Sequence, residues 1–234
     1  MNKNEFINEV NKLGIIINEK QLNQLKKYYN LIIEWNNKIN LTAITEEKDV
    51  YLKHFYDSLT ITKVIDLNNY HSLCDVGTGA GFPGIVLKII FPNLKITLID
   101  SLQKRIKFLN NVIDELGLKD IETIHSRIED YAINNKEKFD IVTSRAVAQL
   151  NVLSEYCIPI VKVNGYFIPM KGNITDEIEK SKNALDKLNG EIIEINNFKL
   201  PFEESNRSII KIRKTNKTSK LFPRKYNEIK KSPL

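Results

Sequence analysis

Residues 72–84, Ser-Leu-Cys-Asp-Val-Gly-Thr-Gly-Ala-Gly-Phe-Pro-Gly, narrow the possible folds more than any other stretch of the chain. A short apolar run ends at Asp75, and glycines follow at 77, 79, 81 and 84. An apolar segment, Ile85 to Ile90, begins directly behind them. A strand that breaks into glycines and restarts as a helix is the first turn of a nucleotide-binding α/β sheet. Glycine permits positive φ there and lets a ligand lie against bare main chain. Pro83 suits the first turn of the helix, where its missing N–H is not needed.

Two ligand classes use such a turn. Gly79 to Gly84 fits the G-x-G-x-x-G of dinucleotide enzymes, while Asp75 to Gly81 fits the acidic-x-G-x-G-x-G found with S-adenosylmethionine. The Asp75 carboxylate would either orient the loop or meet the cationic methionine end. Residues 96–99 form a second apolar strand ending in Asp100. That is roughly 20 residues past the glycines, where a carboxylate reaches a ribose hydroxyl pair. The glycine turn and second acid together predict an adenosine-type ligand at Gly77, Gly79, Gly81 and Asp100.

The rest of the chain separates the two classes. Residues 1–66 are helical in pattern, with Leu22, Leu25, Ile32 and Trp35 at three- and four-residue steps in one helix over 21–39. A second helix is expected over 46–59, with Val50, Tyr51, His54, Phe55 and Leu59 along one side. From residue 72 strands and helices alternate. Strands are expected at 73–76, 96–99, 121–124, 139–143 and 165–170, with helices at 84–91, 102–116, 147–160 and 174–188. Two last strands, 191–195 and 207–212, are joined by a polar link carrying Pro201 and pair as an antiparallel hairpin. The predicted fold is α/β: a mostly parallel, Rossmann-like class I methyltransferase sheet with a C-terminal antiparallel hairpin. It comprises an N-terminal helical extension (1–66), a core (67–213) and a basic tail (214–234). The closing hairpin favours S-adenosylmethionine over NAD.

With 234 residues the chain can bury one core and a small attachment. No apolar run approaches ~18 residues, so no membrane span is expected. The N-terminus lacks an apolar signal core, and Cys74 and Cys157 sit in apolar settings as buried reduced thiols, which predicts a cytoplasmic protein. Cysteine and histidine are too scattered for a metal site. A monomer is expected. Charge is unevenly placed: ten of 35 basic and one of 29 acidic residues lie from Arg207 onward, so that segment carries +9 and residues 1–206 carry −3. Such a block predicts a polyanion partner held by Arg213, Lys214, Lys217, Arg224 and Lys225. The bland alternative is a solvated basic tail.

Reacting groups in this fold belong at the end of the fourth strand. Arg145 stands there, either on the target base, on a cofactor carboxylate, or in an ion pair with Glu129 or Asp140. No Asn/Asp-Pro-Pro-aromatic loop is present for N-methylation of an amine, and no thiol is placed to attack a pyrimidine. A ring nitrogen with a free lone pair, such as guanine N7, attacks a sulfonium methyl without losing a proton, so it needs positioning and no general base. After the third strand Glu129 sits where this fold contacts an adenine ring, with Ile128 to pack the base and a neighbouring backbone N–H to read it; the alternative is an ordinary acid at a helix N-terminus. Lys171, ending the fifth strand, is placed to position the target.

Asp75-Val-Gly-Thr-Gly-Ala-Gly-Phe-Pro-Gly followed by Asp100-Ser-Leu-Gln-Lys-Arg resembles the bacterial 16S rRNA guanine-N7 methyltransferases, also called glucose-inhibited division protein B. The resemblance extends to Glu34-Trp-Asn-Asn, His54-Phe-Tyr-Asp-Ser-Leu, Ser144-Arg-Ala, Met170-Lys-Gly and Phe222-Pro-Arg-Lys, with one departure at Tyr226-Asn227. It implies S-adenosylmethionine as methyl donor and a guanine of 16S rRNA, in the decoding-region loop of the small ribosomal subunit, as acceptor. It places cofactor contacts on Gly77, Phe82, Ile128, Glu129 and Arg145. Two other classes remain open at this point: a dinucleotide-dependent oxidoreductase, for which the chain has no room for a substrate domain, and a non-catalytic RNA-binding module.

Overall fold

The structure, a computed structural model, describes residues 1–145 and 147–234. Ala146, one residue of the Ser-Arg-Ala element, lies outside the described residues. Seven strands form one sheet: β1 (Ser72–Val76), β2 (Lys95–Asp100), β3 (Ile121–His125), β4 (Phe139–Arg145), β5 (Val161–Lys171), β6 (Gly190–Lys199) and β7 (Asn206–Lys214). Their order is β3-β2-β1-β4-β5-β7-β6. The first five run parallel, and β7 is antiparallel to both β5 and β6. The order reverses between β1 and β4, and at such a switch point the loops leaving the strand ends diverge and open a crevice.

Side chains alternate between the faces with the strand period of two. Leu73, Ile96, Leu98, Ile141, Ile168 and Ile209 enter one apolar cluster; Cys74, Val76, Ile99, Val142, Phe167 and Ile210 enter the other. Among the described residues ten α-helices surround the sheet: α1 (Lys3–Lys12), α2 (Glu19–Ile39), α3 (Glu47–Asp49), α4 (Asp57–Leu59), α5 (Gly84–Ile90), α6 (Gln103–Leu116), α7 (Ile128–Asn134), α8 (Leu150–Cys157), α9 (Glu177–Leu188) and α10 (Tyr226–Lys231). Among the described residues, no helix is long and apolar enough to cross a membrane.

The N-terminal helices share the first face with α5 and α6, in one cluster that includes Phe6, Leu25, Tyr28, Phe55, Val86 and Phe108. Helix α2 starts in a capping box between Asn18 and Gln21 and ends at Asn40 in the left-handed conformation. Its polar side chains finish its neighbours. Gln21 donates to the carbonyls of Ile89 and Ile90 at 3.0 and 3.1 Å, and Gln24 donates to that of Leu116 at 2.9 Å. Helix C-terminal carbonyls have no intrahelical partner, so α2 completes both α5 and α6.

Three expectations change in detail. The single helix expected over 46–59 is instead α3, a π-helical segment Val50–Tyr56, and α4. Wider π turns recur at functional sites. The helix expected over 147–160 begins only at Leu150. The hairpin strands are longer than 191–195 and 207–212, because β6 is an edge strand with one solvated face whose polar residues mask its length.

The C-terminal segment is the largest departure. It docks on α8: Ile229 is fully buried, and the Arg224 fork closes on Glu155 with Nε–Oε1 at 2.8 Å and Nη2–Oε2 at 2.7 Å. Arg224 is therefore an anchor for a fully buried carboxylate and not a phosphate contact. Lys214 is also corrected. It is 1% exposed, and its Nζ donates to the carbonyls of Pro159 and Val161 at 3.2 and 2.9 Å. Burial lowers its pKa to about 8. Lys217 and Lys225 are exposed, and Arg213 pairs at the surface with Glu191 at 2.6 Å.

Arg224→Ala is expected to destabilise the chain by about 3 kcal/mol in denaturant unfolding, because it removes the charge that balances buried Glu155 and leaves only the residue 224 N–H donating to it. Adding Glu155→Gln should restore part of that loss. A loss below ~1 kcal/mol would mark the pair as an ordinary surface contact.

Candidate active site

The glycine loop leaves β1 and is held from both adjacent strands. The Gly77 and Thr78 N–H groups both donate to the Ile99 carbonyl, at 2.9 and 3.1 Å, and the Gly79 N–H donates to Asp100 Oδ2 at 2.9 Å. Asp75, fully buried beneath the loop, accepts the Thr78 hydroxyl at 2.7 Å and the Gly84 N–H at 2.8 Å. Its role is thus to orient the loop. Burial raises its pKa to about 6, against the opposing pull of Thr78, Gly84 and Arg145.

Two glycines are needed for different reasons. At Gly79, φ is +62° and an added Cβ would meet only the Gly77 carbonyl, at 4.0 Å. This is open main chain facing a cavity of about 420 Å³ whose walls include Gly77, Phe82, Asp100, Arg105 and Arg145. At Gly81, φ is +96° and a Cβ would strike the Tyr28 hydroxyl and Ile85, each 2.6 Å away. Gly81 therefore serves packing beneath the loop, and unlike Gly77 and Gly79 it is not in the cavity wall. The Tyr28 phenol donates to the Ala80 carbonyl from below.

Asp100 is 2% exposed and already shared: Oδ1 accepts the Leu102 N–H at 2.9 Å, and Oδ2 also meets Arg105 Nη1 at 3.2 Å. It lines the cavity while holding the loop. Ile128 and Glu129 stand apart from that cavity's walls, at the start of α7. Glu129 is 5% exposed, and its Oε1 has no hydrogen-bond partner among the described residues.

Arg145 ends β4 and turns towards the π-helical segment. Its Nη1 donates to the Lys53 carbonyl at 3.0 Å and to Asp57 Oδ2 at 3.1 Å, and its Nη2 lies 3.2 Å from His54 Nδ1. Its ion-pair partner is therefore Asp57, and neither Glu129 nor Asp140. The guanidinium carbon is 5.2 Å from the centre of the Phe82 ring, against which His54 stacks at 4.3 Å. An arginine only donates, so His54 Nδ1 accepts and its proton sits on Nε2, facing Thr42 Oγ1 at 3.0 Å. Burial and the Arg145 charge both lower the His54 pKa, to about 3.

A second, larger cavity of about 580 Å³ adjoins the first and shares His54, Arg145 and Val147 with it. Lys171 is in its wall, with Nζ on the Ala148 carbonyl at 2.6 Å and on Glu177 at 2.8 Å. Asp57 and Arg207 line it as well. Sequence reasoning missed His54, Asp57 and Arg207 as members of this site. The signal for His54 was present, since it is a polar residue within the apolar stripe of residues 50–59.

Comparison with known proteins agrees with this geometry. The family model GidB, described as rRNA small subunit methyltransferase G, matches residues 21–210. A Bacillus cereus protein named ribosomal RNA small subunit methyltransferase G is 50% identical, covering 100% of this chain and 99% of its own length. In fold, the chain is similar to an Aquifex aeolicus SAM-dependent methyltransferase (TM-score 0.52, 16% identity, 71% of this chain and 93% of that one). It is also similar to M. jannaschii TYW2 in complex with AdoMet (TM-score 0.55, 14% identity, 68% of this chain and 74% of that one).

Asp75 and His54 give opposing pH dependences. Asp75 has a native pKa above its ordinary 3.8, so its contribution is full below about pH 4 and is lost as pH rises through 6. His54 has a native pKa below its ordinary 6.5, so stability falls as pH drops from about 6.5 towards 3. Asp75→Asn removes the first effect alone. Its urea midpoint should therefore fall more steeply on acidification from about pH 6 to pH 4 than that of the parent, and parallel curves would contradict these assignments.

Proposed function

The chain belongs to the rRNA small subunit methyltransferase G family, and we propose that it transfers the methyl group of S-adenosylmethionine to N7 of one guanine in 16S rRNA. The single observation that carries this reading is the open main chain at Gly79 facing Asp100, in a cavity that adjoins a second one at Arg145.

The residues present suit such a donor. The Gly79 cradle leaves room for the methionine end of the donor against bare backbone, Asp100 offers a carboxylate to ribose hydroxyls, and Phe82 gives an apolar wall. Gly77 and Arg145 bound the same cavity. The buried Oε1 of Glu129 has no hydrogen-bond partner among the described residues and only a 3.7 Å ion pair with Arg127, which leaves it able to accept at the adenine end, with Ile128 beside it. When bound, S-adenosylmethionine supplies an electrophilic methyl on sulfur, which the N7 lone pair attacks as the C–S electrons return to sulfur.

No proton leaves N7 in that step, so the chain's part is positioning and exclusion of water. The groups at the junction of the cavities fit this role. His54 is neutral with its accepting nitrogen on Arg145, and Asp57 is paired with arginine, so neither is poised as a base. Lys171, fixed by Glu177 and Ala148, is suited to hold the target in the larger cavity. Exposed Lys217 and Lys225, with Arg213, are assigned to rRNA phosphates. The substrate is 16S rRNA or a small-subunit particle, which places the protein in the cytoplasm, and we treat it as a monomer of helical extension, core and docked C-terminal segment.

Incubation with methyl-labelled S-adenosylmethionine and small ribosomal subunits lacking the modification should label one guanine at N7. Label on another base or atom would overturn the reading. Gly79→Asp should abolish calorimetric binding of S-adenosylmethionine with little change in Tm, since aspartate tolerates positive φ and its carboxylate fills the cradle. Undiminished affinity in that variant would show that the loop is only structural.

A further inference from the structure

Asp57 lies where the two cavities meet, and the reaction as described gives it no task beyond not acting as a base. It follows the π-helical segment on α4 and is 5% exposed. Its neighbours are tied down: Ser58 donates to the His54 carbonyl at 2.5 Å and Thr60 to that of Asp57 at 2.6 Å. Its two oxygens are divided between two arginines from different strands. Oδ2 takes Arg145 Nη1 from β4 at 3.1 Å, and Oδ1 takes Arg207 Nε from β7 at 3.0 Å.

The two arginines serve different spaces. Arg145 lines both cavities, whereas Arg207 lines the larger one and not the smaller. The Arg207 Nη1 is held by Ser205 Oγ at 3.3 Å and the Asn206 carbonyl at 3.0 Å, and among the described residues no acceptor meets its Nη2. Its Nη2 is therefore held in place but left free to donate to a phosphate or base-edge oxygen. Without the shared carboxylate, two like charges at this junction would repel and their forks would lose register.

We propose that Asp57 is a positioning residue that holds Arg145 at the cofactor cavity in register with Arg207, which contacts the rRNA acceptor in the larger cavity. The proposal rests on the methyltransferase reading above. It gives the N-terminal extension a direct part in assembling the site, since Asp57, His54 and the Lys53 carbonyl all come from that segment.

Two variants test it. Asp57→Asn keeps the shape and removes the charge. It is expected to weaken calorimetric S-adenosylmethionine binding, measured without RNA, by about tenfold, and to raise KM for small subunits by a similar factor. Arg207→Lys, at a partly exposed side chain, keeps the charge and loses the fork. It is expected to raise KM for subunits by about tenfold while leaving S-adenosylmethionine affinity unchanged. The double variant should show no further rise in KM over Asp57→Asn alone, because both changes break one link.

Additive effects on KM would overturn the proposal, as would an Asp57→Asn protein with lowered Tm but both constants within twofold of the parent. If Asp57→Asn does not fold, an unchanged KM in Arg207→Lys is sufficient to reject it. A parent protein that binds no S-adenosylmethionine would instead defeat the reaction assignment, so the two failures are distinguishable.

Discussion

The site depends on two carboxylates that meet the N–H groups of one loop. A glycine-rich turn has no side chains to pack it, and its donors must be satisfied by something fixed. Asp75 near the end of β1 takes the Thr78 hydroxyl and the Gly84 N–H, and Asp100 at the end of β2 takes the Gly79 N–H and the start of α6. Because β1 and β2 are adjacent and parallel, with Val76 opposite Ile99, the two acids are held at a fixed spacing by the sheet itself. The loop's shape, and with it the cavity, follows from strand register. Both donors to the fully buried Asp75 fall on Oδ2, its Oδ1 has no hydrogen-bond partner among the described residues, and its pKa is accordingly raised to about 6.

From that loop the rest of the site is built by the N-terminal extension. Tyr28 of α2 holds the Ala80 carbonyl from below and stacks with Phe55 at 5.6 Å, while Phe82 packs against both Tyr28 and His54. Arg145 then lies over Phe82 with its donors fixed by residues 53–57. A cation beside an aromatic face and a neutral imidazole acceptor is stabilised with little water present, where electrostatic contacts are stronger. The helices that a sequence reading treats as an attachment therefore supply one side of both cavities, through Leu41, Thr42, His54 and Asp57 among others.

Much of this was legible in the sequence because it is local. The turn at 77–84, the acid at 100 and the closing hairpin each declare themselves within a few residues, and together they fix sheet order and ligand crevice. What was not legible depends on distant pairing. Asp57 and Arg145 are 88 residues apart in the chain, and only the π-helical turn brings them together. Arg224 and Lys214 look like members of a basic tail, because net charge does not reveal a buried Glu155 or the buried carbonyls of Pro159 and Val161. Long basic side chains bury their stems as readily as they reach phosphates. Gly81 shows the same limit at short range: pattern matching gives it the same role as Gly79, and only the position of Tyr28 separates them.

The central claim is that the glycine loop and the N-terminal segment form a single cofactor-facing unit. Amide hydrogen exchange with and without S-adenosylmethionine tests it most directly. The account predicts that the ligand slows exchange at residues 77–84 and also at residues 50–59, which it reaches through Phe82, Arg145 and Asp57. Protection confined to residues 77–84, with residues 50–59 unchanged, would contradict it.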